Sequence, residues 1–171
     1  MKRTYWLLII LLGLIILNIL KIFYINIFSH SLPYGIYMKI NGLPCRGQYA
    51  ASCLSDDIAG YGINRHYLDK GNCKTGTVQV LKIIKGLPGD SYTVHDGYLN
   101  LKGFAYRLMD KDSSGRKLDL FYKVKNGIID KDKYFLLSDF ADNSWDSRYW
   151  GPVSIQFLLK PIFIFDNVRF I

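Results

Sequence analysis

A mainly β domain, a curled sheet or small barrel set behind one N-terminal membrane-spanning helix, is the architecture predicted by this 171-residue sequence. Three observations predict it. A nearly unbroken apolar run extends from Tyr5 to Leu20, whereas the rest of the chain alternates short apolar stretches with turn residues. The stretch Val78 to Ile84 is dense in β-branched residues and is stopped by Gly86-Leu87-Pro88-Gly89-Asp90. Asp96-Gly97 lies between apolar alternations, the pattern of a tight hairpin.

The leading run has the length to span a bilayer. A helix rises about 1.5 Å per residue and needs roughly 20 apolar residues to cross the hydrocarbon core. Lys2, Arg3 and Lys21 are the only charges in residues 1–28, and Lys21 can snorkel at the far edge. A cleavable signal peptide is the alternative, but its apolar region runs roughly 7 to 15 residues before a small-residue cleavage pattern, and no such pattern follows here. Residues 1–28 are therefore expected to be a retained anchor and residues 29–171 one extracytoplasmic domain. The basic leader Lys2-Arg3 favours a cytoplasmic N-terminus, so the remainder is expected on the far side of the membrane.

Beyond the anchor, Pro33 and Gly35 make Ser31–Gly35 an extended turn. Short strands are expected at Tyr37–Ile40 and Tyr49–Leu54, separated by the turn-rich stretch from Asn41 to Gln48. Ser55–Gly76 has little periodicity and reads as a surface loop. Val78–Ile84 is a strand, Ser91–Leu101 a hairpin, Lys111–Lys117 a polar loop and Lys133–Leu137 a further strand. Phe157–Phe165, interrupted by Pro161, is expected at a sheet edge.

The chain carries 22 Lys and Arg against 14 Asp and Glu, a net charge of +8. Without a basic run interleaved with aromatics, that charge fits a surface beside anionic lipid and does not indicate nucleic-acid binding. Cys45, Cys53 and Cys73 leave one cysteine unpaired and three possible disulfides. They are too few and too dispersed for a zinc site, and no metal or cofactor is expected.

Strand periodicity puts Lys82 on one face with Val78, Val80 and Ile84, and Lys85 on the other face near the strand end. Desolvation among aliphatic neighbours would favour the neutral amine of Lys82, a form able to act as a general base. A solubilising role on an edge strand is the alternative for both lysines. Ser31, placed by Pro33 and Gly35, is a candidate hydroxyl nucleophile, and a turn residue otherwise. His66 and His95 have no Gly-x-Ser-x-Gly elbow to support a Ser-His-Asp hydrolase.

Three blocks carry a family resemblance. Ser31, Pro33, Gly35 and Tyr37 resemble the nucleophile segment of TraF-type conjugative-transfer peptidases, a branch of the type I signal peptidases. Lys82 with Gly86-Leu87-Pro88-Gly89-Asp90 is similar to that family's general-base block, and Asp139 through Ser144-Trp145-Asp146-Ser147-Arg148 to Val153 is similar to its terminal block. The resemblance implies a signal-peptidase-like fold and a Ser/Lys dyad: Ser31 attacks, Lys82 takes the proton and Ser144 orients the amine. It further implies an oxyanion hole from the Ser31 N–H, with Ser29 as a possible hydroxyl donor, and an Asp146–Arg148 pair that, with Asp139, supports the Ser144 loop.

There are departures. General signal peptidases carry Ser-Met-x-Pro, with one residue more before the proline than Ser31-Leu32-Pro33. Ser138 stands where a glycine commonly opens the third block, and Ile83 replaces a basic residue. A large accessory β-domain cannot fit between Asp90 and Ser138.

The implied function is a membrane-anchored serine endopeptidase of the bacterial inner membrane, its domain periplasmic, that cleaves leader peptides of exported proteins. The implied partners are a preprotein or pilin precursor, membrane lipid and components of a secretion or pilus assembly, with a linear or cyclised product. A general signal peptidase is one alternative. The other is a catalytically silent scaffold, which would have no need of Ser31, Lys82 and Ser144 together.

Overall fold

The computed structural model describes residues 2–118, 126–141 and 143–165, apart from some side chains of the first helix. Its elements in chain order are α1 (Lys2–Leu20), β1 (Phe23–Asn26), β2 (Gly35–Ile40), β3 (Tyr49–Ser52), α2 (Asp56–Asn64), β4 (Val80–Gly86), β5 (Ser91–His95), β6 (Tyr98–Leu101), β7 (Phe104–Arg107), β8 (Gly127–Ile128), β9 (Phe135–Leu137), α3 (Ser147–Trp150) and β10 (Phe157–Ile164). The domain is mainly β, as the sequence predicts. Among the described residues no closed barrel forms. The strands make two open antiparallel sheets, one in the order β1-β2-β10-β3-β4-β9 and one in the order β7-β6-β5-β8. After β4 the chain leaves the large sheet to build the small one, and β9 returns only as a three-residue edge.

The large sheet is covered on both faces. Ala50, Val80, Ile84 and Leu158 enter one apolar cluster with Ile58 and Trp150, while Ala51, Leu81, Ile83 and Leu159 enter a second with Leu32 and Tyr37. Alternate residues of β3, β4 and β10 therefore serve opposite faces, which is why β4 carries apolar side chains on both. A third cluster, with Leu99, Leu101, Phe135 and Leu137, joins the small sheet to β9. The β5–β6 hairpin turns on Asp96 (φ 49°) and Gly97 (φ 76°), the left-handed pair that a two-residue turn requires.

Three expectations change. Ser55–Gly76 is not an irregular loop: α2 forms within it, Asp56 and Asp57 complement its N-terminal dipole, and Ile58 and Ala59 are buried. Phe157–Phe165 is not an edge element, because β10 lies between β2 and β3. Its pairing to β3 covers only Phe157–Leu159, so Pro161 falls past that ladder, where the register against β2 also shifts. The missing N–H of Pro161 thus faces no second partner strand. Third, β1 forms the edge strand of the large sheet against β2, although it lies within residues 1–28, the segment read as anchor.

Trp6, Leu7 and Ile9 of α1 are exposed. Among the described residues no helix is long and apolar enough to cross a membrane, so the expected span is not shown. The side chains of Lys2 and Arg3, on which the expected orientation rests, lie outside the described ones.

Of the three possible disulfides, Cys53–Cys73 forms, and Cys45 is free and exposed. The bridge joins the end of β3 to the far side of the α2 segment across a sequence separation of 20. Closing a loop of that size removes unfolded-state entropy, so a Cys53→Ser/Cys73→Ser variant should lose about 3 kcal/mol in urea unfolding. An unchanged midpoint would show that the bridge does not hold this segment.

Candidate active site

Ser31 lies in the loop between β1 and β2, and a buried side chain upstream holds that loop together. The Asn26 amide donates to the carbonyls of Ser29 (3.0 Å), Leu32 (3.1 Å) and Pro33 (3.0 Å), and its oxygen accepts the Ser29 N–H (3.1 Å). Tyr37 Oη donates to the Pro33 carbonyl (2.5 Å), and Leu32 is buried beneath the loop. Gly35 is required by close approach, since a Cβ there would sit 2.3 Å from the carbonyl oxygen of Phe163 on β10. The loop is thus fixed to the sheet on both sides of Ser31.

Lys82 projects from the middle of β4 opposite Ala50 and is 5% exposed. Its Nζ donates to Ser31 Oγ. Burial lowers its pKa to about 8; Asp146 pulls it up and Arg148 pushes it down, so the two charges oppose each other and desolvation prevails. A substantial fraction of the amine is therefore neutral near physiological pH. Lys85 instead pairs with Asp139 at 2.5 Å.

Asp146 is fully buried and caps α3 by accepting the Arg148 N–H (3.1 Å). The Arg148 guanidinium grips both its carboxylate oxygens, each at 2.9 Å. Arg148 also donates to the carbonyls of Ser144 (3.1 Å) and Arg107 (3.1 Å), and Asp146 accepts the Ser138 N–H (3.3 Å). The expected pair is present, and it ties the third block to β7. Ser138 Oγ donates to the Ser31 carbonyl at 2.8 Å. A glycine could not make that contact, so the departure at Ser138 adds a direct link between the third block and the Ser31 loop.

Three expected arrangements differ. Ser144 Oγ is buried and has no hydrogen-bond partner among the described residues, so it makes no bond to Lys82. Arg148 holds the Ser144 carbonyl and Ala141 accepts its N–H, which fixes the backbone without using the hydroxyl. Ser29 and the Ser31 N–H do not form a shared donor pair, because that N–H donates to Ser29 Oγ (3.3 Å). The Ser29 hydroxyl lone pair satisfies that N–H. Asp139 reaches Lys85 rather than the Ser144 loop. Asp142, inside the third block, lies outside the described residues.

Sequence reasoning missed Asn26, although a polar residue between Ile25 and Ile27 is itself a signal. It also missed the groove wall. A cavity of about 310 Å³ runs beside Ser31 and Lys82, bounded by β1 and the start of β4 and walled by Tyr67, Leu68, Asp69 and Trp145. Among the described residues no cluster suited to a metal ion occurs.

The two-sheet β domain thus brings a serine and a desolvated lysine together at one groove. The chain belongs to the signal peptidase family, peptidase S26, whose match spans residues 3–160. It resembles the TraF-like branch: the plasmid transfer protein TraF of Escherichia coli is 28% identical over 78% of this chain and 79% of that protein. A signal peptidase I of Buchnera aphidicola subsp. Baizongia pistaciae is 41% identical over 40% of this chain and 24% of that protein. The crystal structure of a signal peptidase I from Enterococcus faecalis V583 is 20% identical, covering 70% of this chain and 98% of that one, with a TM-score of 0.39. Family membership makes the chain a serine peptidase of the leader-processing type.

The third block yields a paired stability test. Asp146→Ala strands a buried guanidinium and should cost about 3–5 kcal/mol. Ser144→Ala removes an unsatisfied hydroxyl and should leave the thermal midpoint unchanged or raise it. Equal losses in the two variants would contradict this partition.

Proposed function

We propose that the protein is a membrane-tethered endopeptidase that uses Ser31 as nucleophile and Lys82 as general base to cleave leader segments from exported proteins, with a conjugative pilin precursor as its substrate. The observation that carries this reading is the hydrogen bond from Lys82 Nζ to Ser31 Oγ, made by an amine buried within an apolar strand. A serine hydroxyl is a weak nucleophile until a neutral base accepts its proton. Burial favours the base form of Lys82, and the groove beside it leaves room for an extended peptide.

In the proposed cycle Ser31 Oγ bonds to the scissile carbonyl carbon while its proton passes to Lys82 Nζ. The resulting ammonium gives the proton to the departing amine as the peptide C–N bond breaks, leaving an acyl-enzyme and a neutral lysine. Water, deprotonated by Lys82, then releases a linear product, and an amine in place of water releases a cyclic or joined one. The Ser31 N–H becomes an oxyanion donor once it lets go of Ser29 Oγ, and the Ser29 hydroxyl can turn to donate beside it. Ser144 remains the candidate to steady Lys82 when Ser31 is acylated and its bond to the amine is lost.

The membrane tether rests on the apolar sequence from Tyr5 to Leu20 and on the outward-facing Trp6, Leu7 and Ile9 of α1. It would hold Ser31 near the point where a leader segment leaves the bilayer. The conjugative setting of that substrate is supported by the likeness to the plasmid transfer protein TraF over most of both chains.

Ser31→Ala and Lys82→Ala should each abolish cleavage of a pilin precursor, with at least a 1,000-fold loss of kcat/KM expected on the order of general-base and nucleophile losses. Lys82 must be neutral to accept the proton, so kcat/KM should rise with pH through about 8 and level off above it. Retained activity in both folded variants, or a rate that peaks in acid, would rule out the dyad.

A further inference from the structure

The groove wall opposite β1 comes from the segment closed by the Cys53–Cys73 disulfide, which brings Tyr67, Leu68 and Asp69 beside Trp145. Its placement is not that of a loose loop. The Asp69 carbonyl accepts the N–H of Val78 at 3.0 Å, Lys70 bridges to Thr77, and the Cys73 N–H donates to the Thr77 carbonyl at 2.9 Å. Val78 itself lines the groove, so the Asp69 backbone is pinned to the segment that leads into β4 and Lys82.

Asp69 is the one carboxylate among the described groove residues, and Lys82 is the one base. The lysine is buried and engaged with Ser31. Asp69 is exposed, and among the described residues its side chain forms no hydrogen bond or ion pair. Most of the remaining groove is apolar or carries neutral amide and hydroxyl groups. On a chain of net charge +8, a cationic peptide side chain approaching the site gains attraction from this carboxylate against a repulsive background.

We propose that Asp69 sets the charge preference of the groove by pairing with a lysine or arginine side chain of the peptide being cleaved. This deepens the peptidase reading and rests on it. The pair forms at a partly solvated wall, so it discriminates among substrates by a modest factor and weakens as salt is added.

The test uses the full chain in detergent and matched peptides that carry lysine, alanine or glutamate at successive positions before the cut, each with a free or acetylated N-terminus. At one position the wild-type protein should prefer lysine over alanine by about threefold to fivefold in kcat/KM, whether or not the N-terminus is acetylated. Asp69→Asn should bring that ratio close to one, and Asp69→Lys should reverse it in favour of glutamate. A preference that persists in Asp69→Lys, or that follows the free N-terminus rather than the side chain, overturns the assignment. Ser31-dependent cleavage with no charge preference at any position overturns this inference alone. Absence of Ser31-dependent cleavage of every peptide overturns the peptidase reading with it.

Discussion

Taking an ammonium group out of water is expensive, and β4 does so with Lys82 without supplying a dedicated counter-ion. Asp146 and Arg148 act on it in opposite directions, so the amine responds mainly to the loss of solvent. The sheet makes this possible: β4 is interior, paired to β3 and β9, with apolar clusters on both faces. Because the neutral form is favoured, the folded protein binds fewer protons than the unfolded chain between about pH 8 and the ordinary lysine value. Its stability should therefore rise with pH across that window, and below it burial of the charged amine is a standing cost. That cost is what poises the amine beside a hydroxyl.

The remaining polar groups hold the serine within reach of that amine. Asn26 gathers three carbonyls of the Ser31 loop, Tyr37 fixes the Pro33 carbonyl, and Ser138 holds the carbonyl of Ser31 itself. The Asp146–Arg148 pair then anchors the segment that carries Ser138 and Ser144. Each contact restrains backbone and leaves the Ser31 hydroxyl to Lys82. A serine and a lysine held by one strand and two restrained segments keep their mutual geometry because their supports are themselves fixed.

Much of this was legible in the sequence where one local rule dominated. The strand read at Val78–Ile84 forms two residues later, as Val80–Gly86, and the Asp96-Gly97 turn forms as expected, because strand propensity and left-handed turn chemistry are short-range effects. Where tertiary packing decides, local rules do not reach. α2 is only nine residues long and contains Gly60 and Gly62, so its periodicity was too weak to see, and its burial depends on Trp150 and Tyr149 far along the chain. β10 looked like an edge because of Pro161, yet its first three residues pair on both sides. The proximity of Ser31 and Lys82 was foreshadowed by their motif blocks, whereas the link from Ser138 to Ser31 spans 107 residues and has no local signature.

The central claim is that Lys82 titrates far below an ordinary lysine because it is buried. Its pKa can be read directly by labelling lysine Cε and following the Lys82 resonance with pH by NMR, assigned through its loss in Lys82→Met. A midpoint near 8 is the predicted result. A midpoint near the ordinary lysine value of about 10.4 would contradict the account, since the amine would then be charged whenever the protein works.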